Sequence, residues 1–120
     1  MTRDAPRQKI CFLLRVDPDR IGDYLEGHET VWPAMLEALR DSGYRNYSIF
    51  VDESGLIVGY LETDDFEATL AAMSATEVNA AWGRHIGDMF LPVDDARPVG
   101  RVVPLRQAFD LDSALDSVTT

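Results

Sequence analysis

The sequence has few of the residues that most often reveal a function. Its 120 residues include a single cysteine, Cys11, and two histidines, His28 and His85. One cysteine excludes an intramolecular disulfide and is compatible with a reducing cytoplasm, where we expect the protein to reside. Cys11 lies in an apolar run, and we interpret it as a core residue because cysteine is often simply buried.

Basic residues are also scarce: 11 Lys and Arg stand against 21 Asp and Glu, which gives a formal net charge of -10. Nucleic acids and anionic membranes attract basic patches, so we expect neither as a partner. No apolar run approaches the roughly 18 residues of a membrane-spanning helix. Glycine-rich phosphate loops and cysteine clusters are missing, and two histidines without metal-ligand spacing predict no metal site. A reaction without a cofactor is the economical enzymatic interpretation.

The length and the apolar content of 46% are typical of one soluble domain. We expect a single domain over residues 1–120, with its core at about 9–111 and flexible tails at 1–8 and 112–120. The apolar run 9–16 predicts a first strand. Asp17 as N-cap and Pro18 at the first helical position predict a long helix that ends before Gly43.

The rest of the chain predicts a hairpin of strands 45–51 and 56–62, then helices from about 66 to 90, and a last strand within 101–111. The order β-α-β-β-α-β is the ferredoxin-like split unit, an α+β fold. Helices on one face of such a sheet leave the other face for a ligand or a second subunit. By analogy with other domains of this kind, we expect a homodimer that forms a dimeric α+β barrel.

Tyr24, His28 and Trp32 are spaced four residues apart, which predicts one aromatic stripe on the first helix. Pro33 should kink that helix just beyond the stripe. Such a stripe is ordinarily core, but the ring nitrogens of a buried histidine need partners. A histidine with a pKa near 6.5 also takes and gives a proton at neutral pH, and a neighbouring phenol can orient a ligand hydroxyl.

Two further aromatic residues leave their roles open. Tyr47 is either a sheet-packing residue or a ligand-binding phenol, and its side chain should share the face of Ile49 and Val51. Trp82 is either core filler or an apolar platform for a sugar ring. The helical phase does not decide whether His85 lies beside Trp82 in a pocket or on the outer surface.

These residues together resemble the L-rhamnose mutarotase family. The resemblance rests on Tyr24-x3-His28-x3-Trp32-Pro33, on Asn46-Tyr47-x-Ile49 and on Thr76-x-Val78-x3-Trp82, and it spans roughly 9–111. It implies a dimeric α+β barrel that interconverts the α and β anomers of L-rhamnose without metal or cofactor. It also implies that His28 is the acid/base and that Tyr24, Tyr47 and Trp82 bind the sugar.

The sequence departs from the family at one position, where Gly83 replaces the second tryptophan of a pair. A wider pocket or another 6-deoxyhexose such as L-fucose is therefore an alternative for the substrate. Two other classes share the expected architecture: small monooxygenases and non-catalytic modules that hold a small effector. Neither accounts for the Tyr-His-Trp-Pro element together with Asn46-Tyr47.

Overall fold

A computed structural model describes residues 7–99 and 101–119 of the chain. Within them lie four strands and five α-helices. The strands are β1 (Gln8–Val16), β2 (Arg45–Val51), β3 (Leu56–Thr63) and β4 (Phe90–Leu91). The helices are α1 (Ile21–Glu29), α2 (Pro33–Ser42), α3 (Phe66–Ser74), α4 (Glu77–Ile86) and α5 (Leu111–Thr119), with short 3-10 turns at Pro18–Arg20 and Gly87–Met89.

The strands form one antiparallel sheet in the order β2-β3-β1-β4. This topology confirms the α+β, ferredoxin-like prediction. Side chains alternate along β3, so that Ile57 and Leu61 are fully buried while their neighbours are half-exposed. The buried face packs against α1 to α4 in a core that includes Val16, Met73 and Ile86. One sheet face is therefore covered by helices.

Local sequence signals place most of these boundaries. The Asp17 carboxylate accepts a hydrogen bond from the Asp19 N–H at 2.9 Å and caps the first turn. Gly43 ends α2 with a φ of 111°, a left-handed conformation that glycine adopts without steric cost. The carboxylate of Asp65 and the hydroxyl of Thr76 cap α3 and α4. These caps confirm the predicted helix starts at Pro18 and near residue 66 and the predicted stop at Gly43.

The prediction of one long first helix is wrong, because the structure has two helices in its place. The chain leaves helical geometry between α1 and α2, and Trp32 has the extended φ and ψ of -55° and 136° at the N-cap position. Pro33 starts a new helix instead of kinking an existing one, because a proline lacks the N–H that an interior position needs but the first turn does not. Tyr24 and His28 therefore share α1, whereas Trp32 does not continue their stripe.

The prediction of a last strand within 101–111 is also wrong. That stretch is irregular and touches the sheet through an isolated bridge between Phe12 and Pro104, while the short β4 occupies the edge further along β1. Proline cannot donate to a strand ladder, which keeps this pairing to a single bridge. Beyond it, the Asp110 carboxylate accepts from the Ser113 N–H and pairs with Lys9, and α5 begins there. Flexibility at 112–120 stays a prediction, and residues 1–6 lie outside the described residues.

Candidate active site

A cavity of about 450 Å³ lies between the inner face of the sheet and the helices. Its lining is mostly aliphatic and aromatic, with a few polar tips. The polar or titratable members are Tyr24, His28, Tyr44, Tyr47 and Asn79. No Asp, Glu, Lys or Arg belongs to the lining among the described residues. Such a cavity suits a small neutral ligand with both apolar and hydroxyl surface.

Helix α1 supplies the imidazole and fixes its orientation. His28 Nδ1 lies 2.8 Å from the backbone carbonyl oxygen of Tyr24, one turn earlier. A carbonyl can only accept, so Nδ1 carries the proton and donates it in this bond. The neutral ring then holds its lone pair on Nε2, the nitrogen that can act as a base. The Tyr24 ring packs against the same imidazole, with 4.3 Å between ring centroids.

Strand β2 begins with a bulge that brings two phenols to the same cavity. The pairing of β2 with β3 shifts by one residue between Arg45 and Ser48, and Asn46 has a positive φ of 49°. Along a regular strand, positions 44 and 47 would point to opposite faces. The extra residue of the bulge cancels this alternation. Tyr44 and Tyr47 consequently both line the cavity, with ring centroids 5.0 Å apart.

Helix α4 supplies the opposite wall. The rings of Trp82 and His28 meet edge to face, with their centroids 5.8 Å apart. Trp32 supports Trp82 from behind in an edge-to-face contact at 5.0 Å, a favoured geometry for aromatic pairs. His85 contacts these two indoles at 5.3 Å and 5.6 Å but is exposed and is not part of the lining. The structure thus places His85 on the outer side of the wall.

The phenols of the cavity stay protonated over the whole neutral range. Burial raises the pKa of Tyr24 to about 12 and also raises the pKa of Tyr44. Desolvation of its hydroxyl by burial raises the pKa of Tyr47 as well, with smaller contributions from the two other phenols. Tyr47 keeps 36% of its surface exposed, so its ring is accessible although it is closely surrounded. All three hydroxyls are therefore hydrogen-bond donors rather than charges.

The structure brings all four residues that the sequence singled out to one cavity: Tyr24, His28, Tyr47 and Trp82. Tyr47 shares the face of Ile49, as predicted. Sequence reasoning missed Tyr44, which the bulge redirects, and Asn79. The signal for Asn79 was its position one turn before Trp82 on the same helix face. Within residues 7–99 and 101–119, no three His, Cys, Asp or Glu side chains converge to hold a metal ion.

Comparison with known proteins points to one family. The family model for L-rhamnose mutarotase matches residues 9–111. An L-rhamnose mutarotase of Pectobacterium atrosepticum is 35% identical over 90 residues, which are 74% of this chain and 86% of that protein. The chain belongs to the L-rhamnose mutarotase family. Membership of this family makes it an isomerase of the mutarotase type.

Solved structures agree on the fold of this mutarotase-family chain. The crystal structure of an L-rhamnose mutarotase from Formosa agariphila superposes with a TM-score of 0.69 at 22% identity and covers 87% of this chain and 98% of that one. A putative antibiotic biosynthesis monooxygenase from Bordetella bronchiseptica superposes with a TM-score of 0.60 at 13% identity, over 84% and 96% of the two chains. At these identities the likeness is one of fold alone. None of the described helices has the length and apolar character of a membrane span.

Proposed function

We propose that the protein interconverts the α and β anomers of L-rhamnose by acid/base catalysis in this cavity, without a cofactor. The observation that carries the proposal is the cluster of His28, Tyr24, Tyr47 and Trp82 around one cavity, with the Nε2 of the imidazole left as the base. His28 is the catalytic residue of the proposal. Tyr24, Tyr47 and Trp82 bind the sugar.

The reaction needs one proton removed and one proton delivered. His28 Nε2 takes the proton of the anomeric hydroxyl while the bond between the anomeric carbon and the ring oxygen breaks. The ring oxygen receives a proton from a tyrosine hydroxyl or a water, the protonated His28 returns a proton to that group, and the open-chain aldehyde results. Rotation about the adjacent carbon–carbon bond and the reverse steps form the other anomer. General acid–base catalysis of this kind contributes about 10²–10⁴-fold, which is adequate for a reaction that also proceeds unaided in water.

The lining supports a 6-deoxyhexose over a charged or strongly polar ligand. The phenols of Tyr24 and Tyr47 are protonated at neutral pH and can donate hydrogen bonds to ring hydroxyls. Trp82 offers an indole to the C–H surface of the pyranose. Aliphatic side chains such as Met35 and Ile86 complete the wall and suit the methyl group that replaces a hydroxymethyl group in these sugars. L-Fucose is the alternative substrate.

The protein is a homodimer in this proposal, joined through the outer face of the sheet. Phe50, Val58 and Leu13 stand in register across β2, β3 and β1, and Phe50 is 64% exposed. An antiparallel sheet with one face in water usually carries polar residues there. An apolar row on that face supports contact with a second copy in a symmetric, isologous pair. A cytoplasmic location also stays a prediction.

Saturation-transfer NMR at the anomeric protons tests the proposal directly. L-Rhamnose, L-fucose and D-glucose are each incubated with the protein, and the exchange rate is compared with that of the sugar alone. We expect exchange that increases in proportion to enzyme concentration for one 6-deoxyhexose and not for glucose. A folded protein that binds a sugar without accelerating exchange would instead be a binding module. Oxygen uptake with a quinol would favour a monooxygenase.

A further inference from the structure

One polar side chain of the cavity has no structural task in the chain. Asn79 is half-buried and lines the cavity from α4. Its backbone N–H donates to the Thr76 hydroxyl at 3.2 Å as part of the helix cap. Its carboxamide makes no hydrogen bond to another residue within the described ranges.

The helix cap does not require this carboxamide either. Asn79 occupies the third position of α4, where a Glu or Gln side chain often reaches back to the N-cap N–H. Here the Thr76 N–H already donates to the Met73 carbonyl at 3.1 Å. Asparagine is also among the weaker helix formers. Neither capping nor helix propensity explains an asparagine at this position.

A carboxamide combines two N–H donors with an acceptor oxygen, which no phenol or neutral imidazole of the described lining does. The phenols of Tyr24, Tyr44 and Tyr47 are protonated donors, and His28 offers one lone pair. The Asn79 side chain has two N–H donors and an oxygen with two lone pairs. One such group can accept from one sugar hydroxyl and donate to the next. The carboxamide is half-buried beside the mostly apolar lining, where a pair of ligand hydroxyls could take the place of water as its hydrogen-bond partners.

We propose that Asn79 is a specificity-determining residue that binds two neighbouring hydroxyls of the sugar. The proposal rests on the proposed function and names a further ligand of that same site. Asn79 precedes Trp82 by three residues on α4, a rise of about 4.5 Å along the helix. Trp82 in turn packs on His28 at 5.8 Å. A pyranose in contact with His28 and Trp82 therefore comes within reach of the carboxamide.

The test compares Asn79→Leu with the unaltered protein in the anomer-exchange assay. Leucine has a similar size and no hydrogen-bonding group. We expect KM for the preferred 6-deoxyhexose to rise about 10- to 100-fold, as for the loss of two hydrogen bonds to the ligand, while kcat changes less than about threefold. The preference between L-rhamnose and L-fucose should shrink as well, since these sugars differ in the orientation of their hydroxyls.

Glu77→Gln is the matched control, because Glu77 is exposed on the same helix and does not line the cavity. This variant should keep the KM and the sugar preference of the unaltered protein. If the leucine variant does not fold, Asn79→Asp takes its place in the test. Aspartate keeps the shape and the acceptor oxygen of asparagine but loses both N–H donors. This variant should also raise KM. Unchanged KM and sugar preference in the folded Asn79 variants would overturn the inference. Absence of exchange in the unaltered protein would overturn the proposed function instead.

Discussion

Both faces of the sheet carry apolar side chains, but only one face is covered by helices. On the inner face, Ile57 is fully buried and Phe12 is 4% exposed, beneath the helices that enclose the cavity. On the outer face, Phe50 keeps 64% of its surface exposed next to Val58. Strand alternation alone gives a sheet two faces, and the helices decide which becomes a core. The inner face thus lines the cavity in which we propose the reaction, and the outer face carries the exposed row through which we propose association.

The largest expected effect comes from the inner face. His28→Ala removes the base, and we expect the enzyme-catalysed exchange rate of L-rhamnose to fall about 10²–10⁴-fold. His28 is half-buried, so the far-UV circular dichroism spectrum and the sheet should persist. NMR exchange at a fixed enzyme concentration measures the fall. Undiminished exchange in the folded variant would remove His28 from the mechanism.

A charge on the outer face should separate association from folding. Phe50→Glu places a carboxylate in the apolar row of a chain that already has a net charge of -10. Loss of a central aromatic contact typically costs about 2 kcal/mol or more of binding free energy, so we expect the dimer to dissociate at micromolar concentration. Sedimentation velocity reads the change directly.

Leu25→Glu is the matched control for that experiment. Leu25 is 48% exposed on α1, on the helical side of the molecule, and does not line the cavity. The control should sediment like the unaltered protein. If both variants stay dimeric, the outer face is not the interface.

Gly59 offers a third way to contrast the faces. A Cβ built at Gly59 would lie 2.2 Å from Phe12 Cζ, because the Phe12 ring lies directly over this glycine in the paired strand. Gly59→Ala should therefore lower the free energy of unfolding by about 1–3 kcal/mol through displacement of that ring. Val58→Ala, on the half-exposed outer face, should cost less. Urea denaturation of the two variants gives the comparison, and equal losses would contradict it.

The smallest expected effect is a pH dependence of stability that burial on the inner face produces. Burial raises the pKa of Tyr24 to about 12 from an ordinary 10.0, so the unfolded chain releases this proton first. The stabilisation is complete below pH 10 and is lost as the pH rises toward 12. Tyr24→Phe should be less sensitive to alkali, by about 1 kcal/mol at pH 11. Urea denaturation midpoints of the unaltered protein and of Tyr24→Phe at pH 9, 10 and 11 test this prediction. Midpoints that fall equally with pH in the two proteins would contradict it.

Local signals in the sequence predicted the parts of the site that depend on one element. Tyr24 and His28 are one turn apart on a helix, and the helical period is enough to place them together. Tyr47 shares the face of Ile49 because alternation holds from position 47 onward. The ferredoxin-like order followed in the same way from caps, turns and alternation.

Other features of the site depend on a helix break and a strand bulge, which helical spacing and strand alternation do not predict. The four-residue spacing predicted that Trp32 continues the aromatic stripe of the first helix. Pro33 starts a new helix instead, and Trp32 packs against Trp82. The bulge at Asn46 redirects Tyr44, because one inserted residue reverses the parity of every residue before it. The prediction of the last strand was wrong as well. The fourth strand of the sheet is the two-residue β4, whereas the backbone of 101–111 makes only an isolated bridge to β1.

The uncharged lining has a consequence for how the substrate arrives. A chain with a net charge of -10 has a strong electrostatic field, yet a neutral sugar gains nothing from it, and no Asp, Glu, Lys or Arg of the described residues lines the cavity. Encounter therefore proceeds by plain diffusion. Ionic strength, which shortens the reach of surface charges to about 10 Å at 0.1 M, leaves the capture of substrate unchanged. We therefore expect the turnover of a neutral sugar to be the same at low and at high salt concentration.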